Sequence, residues 1–106
     1  MPKYLIKVAY NVDGVRGLLK EGGVARRETV SKLVAAMGGT MESFYYAFGD
    51  DDAYVIVDLP SQTDGLALTL AVNAGGAVRL TTTPLIDPED IDIAAKKTVA
   101  YRAPGA

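Results

Sequence analysis

Residues 38–60, GGTMESFYYAFGDDDAYVIVDLP, decide the fold. Thr40 to Phe48 and Ala53 to Leu59 are rich in aromatic and β-branched residues. The stretch between them, Gly49 with Asp50, Asp51 and Asp52, is polar and turn-forming, so the segment reads as two strands joined by a hairpin connection. Both flanks are helix boundaries. On the N-terminal side, Val30, Leu33, Val34 and Met37 recur at i, i+3, i+4 and i+7, and Gly38-Gly39 stops that helix because glycine tolerates the left-handed conformation at a helix C-terminus. On the C-terminal side, Ser61 stands where an N-cap belongs, with Asp64 near the positive end of a helix built on Leu66, Ala67, Leu70, Ala71 and Ala74 and ending at Gly75-Gly76.

Working outward, Lys3 to Tyr10 sets Tyr4, Ile6, Val8 and Tyr10 on one side and Leu5, Lys7 and Ala9 on the other, the period of a strand. A short helical turn over Asp13 to Lys20 follows it and leads through Glu21-Gly22-Gly23 into the first helix. Beyond the second helix, Val78 to Thr83 is a fourth strand. Asp87-Pro88-Glu89-Asp90 then starts a short last helix, with a capping Asp, Pro at its first position and acids in its first turn, and Tyr101 to Ala106 trails off. The order strand, helix, strand, strand, helix, strand is the split βαβ, ferredoxin-like arrangement. It predicts an α+β fold: a four-stranded antiparallel sheet with both helices on one face and the first strand between the third and fourth. Each half ends a helix in paired glycines before a strand (AAMGGTMESF and NAGGAVRLTT), a weak internal echo of that symmetry.

The residue inventory excludes much chemistry. The chain of 106 residues has neither cysteine nor histidine, which removes disulfides, thiolate nucleophiles, Cys/His zinc sites, His-ligated haem and the Ser-His-Asp triad. No cofactor is implied. Eleven Lys+Arg against thirteen Asp+Glu leave a net charge of -2, with clustering only at Arg26-Arg27 and Lys96-Lys97, so nucleic acid is not the favoured partner. The glycines at 14, 17, 22 and 23 match neither a dinucleotide fingerprint nor a phosphate loop. No secretory signal or membrane span is indicated, and the expected location is the cytoplasm. With 49% hydrophobic residues the composition is that of an ordinary globular domain. At this length the stability margin is thin enough for burial through self-association to help.

The stretch from Gly38 to Pro60 resembles the signature of the GYD domain family: Gly-Gly, an aromatic strand, a Gly-x-Tyr-Asp turn, then an apolar strand ending in an acid and Pro. Gly49 and Asp52 fall on the Gly and Asp of the turn, and Asp51 stands in place of the Tyr. The resemblance covers about residues 3–87 of a single domain, with the last helix and tail at 88–106. It implies a ferredoxin-like fold that pairs into a dimeric α/β barrel, as in the antibiotic-biosynthesis monooxygenase and stress-responsive barrel families, and hence a homodimer or a larger ring of dimers.

Two candidate sites follow. The three successive aspartates diverge on a turn and lack EF-hand spacing, so the favoured reading is a solvated hairpin in which Asp52 bonds backbone amides, with a weak divalent-cation site as the alternative. Strand parity gives the other. With Ile6, Val8, Val55, Val57, Val78 and Leu80 toward the helices, the opposite face would carry Lys7, Glu42, Phe44, Tyr46, Tyr54, Ile56, Asp58, Arg79 and Thr81, with Lys7 meeting Asp58. Packed on its own copy, that face is either an interface held in register by charge pairs or a pocket for a small amphipathic or anionic ligand, gripped by Lys7 and Arg79 between Tyr46 and Tyr54. Asp58 or Glu42 is then a candidate general base, and Asn11 either positions a substrate or caps the following helical turn. The functional expectation is a homodimeric ligand-binding, regulatory or assembly module. The alternative is a cofactor-independent monooxygenase or isomerase acting on a small aromatic or polyketide-like substrate.

Overall fold

The computed structural model describes residues 1–106. The elements run β1 (Lys3–Tyr10), α1 (Val12–Glu21), α2 (Gly23–Ala36), β2 (Thr40–Tyr46), β3 (Ala53–Asp58), α3 (Gln62–Gly75), β4 (Val78–Leu85) and α4 (Pro88–Ala95). The four strands form one sheet in the order β2-β3-β1-β4, every neighbouring pair antiparallel. This is the ferredoxin-like α+β arrangement the sequence predicts, with β1 between β3 and β4. It leaves the sheet open, with β2 and β4 as its edges.

Alternation on the strands determines what is buried. Tyr4 and Ile6 of β1, Val55 and Val57 of β3 and Leu80 of β4 pack with Leu59, with Val34 of α2 and with Leu68 of α3. Only ten residues of the whole chain are buried, so the core is thin for a domain of this length.

The helix ends follow the local chemistry. Gly38 takes φ +83° after α2, its amide donates to Ala35 O and the Gly39 amide donates to Val34 O, the paired bonds of a Schellman ending. The Ser61 hydroxyl caps α3 by accepting from the Asp64 amide at 3.3 Å. Asn11 caps α1 in the same way, accepting from the Gly14 amide at 2.9 Å, while its amide group donates to Gly76 O. α1 is a ten-residue helix rather than the short turn expected, separated from α2 by Gly22 at φ +93°.

Asn73 of α3 solves a problem at the edge. Its side-chain oxygen accepts from Leu80 N at 2.6 Å and its amide donates to Leu80 O at 3.1 Å, so outward-facing backbone groups of edge strand β4 are paired. Asn73→Leu is therefore expected to cost about 2 kcal/mol, because it leaves both groups unmet. Chemical denaturation would check it, and amide exchange at Leu80 would rise with it. No helix is long and apolar enough to cross a membrane.

Candidate functional site

The two faces of the sheet differ in kind, and the sequence-predicted cluster is divided between them. Pairing across the strands puts Lys7 opposite Tyr54 and Thr81, Leu5 opposite Ile56 and Thr83, and Lys3 opposite Asp58 and Leu85, all on the open face away from α2 and α3. Arg79 shares that face, paired with Ala9.

Phe44 and Tyr46 do not share it. A β-bulge at Glu42 sets an extra residue between the Met41–Val57 and Ser43–Ile56 pairs, and every later residue of β2 changes face. Phe44 thus packs against the core, and Tyr46 pairs with the fully buried Ala53. The Tyr46 hydroxyl donates to Gly23 O at 3.0 Å, and its ring meets Phe44 edge-on at 5.0 Å between centroids. Tyr45 takes the open-face position instead, beside Tyr54. Met41 and Phe44, both apolar and three apart across the polar pair Glu42-Ser43, carried the signal of this shift.

Asp58 also meets a different lysine. Antiparallel register brings Lys3, not Lys7, beside it: the Lys3 amine lies 3.1 Å from Asp58 Oδ1 and 2.5 Å from Glu42 Oε2. Glu42 foremost, then Asp58, holds the Lys3 amine above the usual lysine range. Both candidate bases are thereby committed to an ion-pair triad at one end of the open face. Lys7 and Arg79 make no ion pair within their own chain.

The hairpin turn resolves in favour of backbone bonding by Asp52. Its carboxylate accepts from Tyr10 N at 2.7 Å, its amide donates to Val8 O at 2.8 Å and its carbonyl accepts from Ala47 N at 2.9 Å. The side chain is thus directed at β1, and no three acidic groups in the chain are disposed to share a metal ion.

Beneath the helices lies a feature that sequence reasoning missed. An apolar cleft of about 50 Å³ runs between the sheet and α2 and α3, with Val8 and Val55 on its floor and Val30, Leu33, Leu68 and Val72 above. Arg26 is the one charged residue in its lining, at the end where Tyr10 also stands. Outside these two residues a more polar hollow of about 150 Å³ opens between Asp13, Glu21 and Ala77. Arg26 and Tyr10 border both spaces. In the sequence Arg26 is half of an Arg-Arg pair, and only the fold brings the start of α2 beside Tyr10 at the end of β1.

A model of the GYD domain matches residues 4–95. The chain belongs to the GYD domain family. No curated protein and no solved structure matches it. In this GYD domain the turn aspartate, Asp52, anchors the end of β1 beside Tyr10. Asp51 stands next to the residue that makes those bonds.

Burial, foremost, pushes the phenols of Tyr10 and Tyr46 above the ordinary tyrosine range; Arg26 opposes the shift at Tyr10, and the neighbouring Tyr10 adds to it at Tyr46. A raised phenol pKa means that the folded state favours the neutral form. That contribution is complete below pH ~10 and is lost as pH rises through the folded values. Both phenols are thus hydrogen-bonding groups at neutral pH rather than bases. Ring-carbon NMR titration is expected to show Tyr10 and Tyr46 ionising above pH ~10, with the domain losing stability over the same window. Ionisation of either ring below that pH would contradict the burial.

Proposed function

We propose that this GYD domain is a small-molecule-binding module that works as a homodimer, and that its ligand is a short branched or aromatic compound bearing one anionic group. The observation that carries the reading is Arg26, a single cation beside Tyr10 at the end of an otherwise apolar cleft. A pocket with an apolar body and few polar groups is the usual form of a ligand site. The inner space suits a group the size of a branched alkyl chain, and the outer hollow suits a polar remainder. The anion would lie against Arg26, with the Tyr10 hydroxyl as a donor.

Binding is favoured over catalysis by the lining itself. The cleft contains no carboxylate, and the Tyr10 phenol is held protonated. The monooxygenase or isomerase alternative therefore lacks a base beside the apolar body of a substrate, since the carboxylates of Asp13 and Glu21 line only the outer hollow.

Self-association is supported by the open face, where Leu5 and Ile56 lie between the Lys7–Tyr54 row and the Lys3–Asp58 row. Face-to-face pairing would cover those apolar groups and bring Lys7 and Arg79 within reach of acids from the second copy.

The test of the ligand reading is two-dimensional NMR of the protein titrated with isovalerate, benzoate and phenylacetate. At least one is expected to shift the methyl resonances of Val8, Val30 and Val72, and Arg26→Met is expected to weaken that ligand by about tenfold or more, the loss of one charge-assisted contact. If none of the three moves those methyls at millimolar concentration, or if Arg26→Met binds as well as wild type, the reading fails.

A further inference from the structure

Every residue from Thr83 to Ala106 is exposed. The segment after β4 is nevertheless rich in large apolar groups: Ile86, Ile91, Ile93, Val99 and Tyr101 are each between 57% and 77% exposed. The chain is consequently extended, with a radius of gyration of 17.2 Å, where a compact domain of this length has about 13 Å. The family match ends at Ala95, the last residue of α4, so this helix is part of the domain. Two turns of helix are too short to persist in water on their own. Asp87 stands at the N-cap without the side-chain cap bond the sequence predicts, and a helix that belongs to the domain and buries nothing in its own chain is one whose packing partner is elsewhere.

We propose that this arm, Ile86–Ala106, docks on a second copy of the chain and completes the dimer. The inference rests on the paired-sheet reading above and adds the element that makes the pair stable. Two physical arguments single out a second copy. The first is area. Four strands at 4.8 Å spacing and about six residues of shared length present roughly 400 Å² in projection, a small platform for an interface that buries ~800 Å² of accessible surface per partner. The apolar side chains of one arm, at the ~60–120 Å² each that their transfer energies correspond to, supply an area of the same size as that platform. The second is charge. α4 and its N-cap carry Asp87, Glu89, Asp90 and Asp92, while the open face displays Lys7 and Arg79 without an ion-pair partner. The arm also departs from the right place: Leu85, its last strand residue, is paired with Lys3 at the margin of that face. A two-turn helix and ten extended residues reach about 40 Å, enough to cross the sheet of a facing copy.

Sedimentation equilibrium of the full chain tests this with two variants. Ile91→Asp with Ile93→Asp alters groups that are exposed in the single chain, so its folding is expected to be unchanged, while the dimer dissociation constant rises about 100-fold. Ile56→Lys does the same through the sheet face. An arm variant that dimerises like wild type, beside a weakened Ile56→Lys, overturns the arm proposal and leaves the paired sheet standing. The opposite pattern removes the paired sheet and keeps the arm as the dimer contact. A wild-type chain that stays monomeric at hundreds of micromolar overturns both. An arm variant that lowers the melting temperature of a monomer without changing association assigns the arm to its own chain, against the groove of Leu33, Met37, Ala67 and Ala71, and also overturns the proposal.

Discussion

Gly39→Ala is expected to destabilise the domain by about 3 kcal/mol, lowering its melting temperature by roughly 10–20 °C. The cause is a close approach rather than a turn. A Cβ at residue 39 would lie 2.3 Å from the Asp58 carbonyl oxygen, 2.9 Å from Leu59 Cδ2 and 3.1 Å from Val34 Cγ1. Val34 and Leu59 are fully buried, so neither can move without opening the thin core, and the carbonyl belongs to the β3 backbone. Gly39 also donates to Val34 O in the ending of α2. The methyl group would therefore strain the helix end, the start of β2 and the end of β3 together. Gly17→Ala is the control: nothing lies within 4 Å of a Cβ there, and in mid-helix it is expected to stabilise by about 0.5–1 kcal/mol. Thermal denaturation of the two variants should move in opposite directions. A Gly39→Ala protein that melts with wild type would mean that α2 and β3 are farther apart than described.

That pair of glycines shows what the sequence makes legible. Gly38-Gly39, Ser61 with Asp64, and Asn11 each act within a few residues of themselves, and their roles as helix ends follow from short-range geometry. The strand alternation and the element order then suffice for the sheet topology. Register across distant strands is different. That Lys3 rather than Lys7 meets Asp58 depends on the alignment of β1 with β3, which are separated by some fifty residues and joined by no short turn. The bulge at Glu42 is equally consequential, since one inserted residue moves Phe44 and Tyr46 from the open face to the core side. The ligand cleft is the least legible of all. Its one charged group, Arg26, stands in the sequence only as half of an Arg-Arg pair and gains meaning where the start of α2 comes beside Tyr10 at the end of β1.

The same end of β1 makes Asp52→Ala the second large expected effect, a loss of about 2–3 kcal/mol. Its carboxylate is the acceptor for Tyr10 N at 2.7 Å, and removing a charged acceptor from a part-buried amide costs about 1.5–3 kcal/mol. The consequence extends beyond stability, because Tyr10 borders both the apolar cleft and the outer hollow. Loosening its backbone should open the ligand site, so Asp52→Ala is expected to weaken whichever carboxylate binds wild type. Asp52→Asn keeps an oxygen in the accepting position and should cost about 1 kcal/mol, the difference between a bond to a charged acceptor and one to a neutral acceptor. Asp51→Tyr, at the neighbouring turn position, removes none of these bonds and is expected to fall within about 0.5 kcal/mol of wild type. A divalent-cation site would behave otherwise: calcium or magnesium would raise the melting temperature of wild type, and Asp52→Asn would abolish that rise. Melting wild type and the three variants with and without millimolar calcium separates the two accounts. The bonding account requires the order Ala, then Asn, then Tyr in decreasing cost and no dependence on the ion. A cation-dependent shift in wild type, or an Asp52→Ala protein as stable as its parent, would transfer the turn from the framework of the cleft to a site of its own.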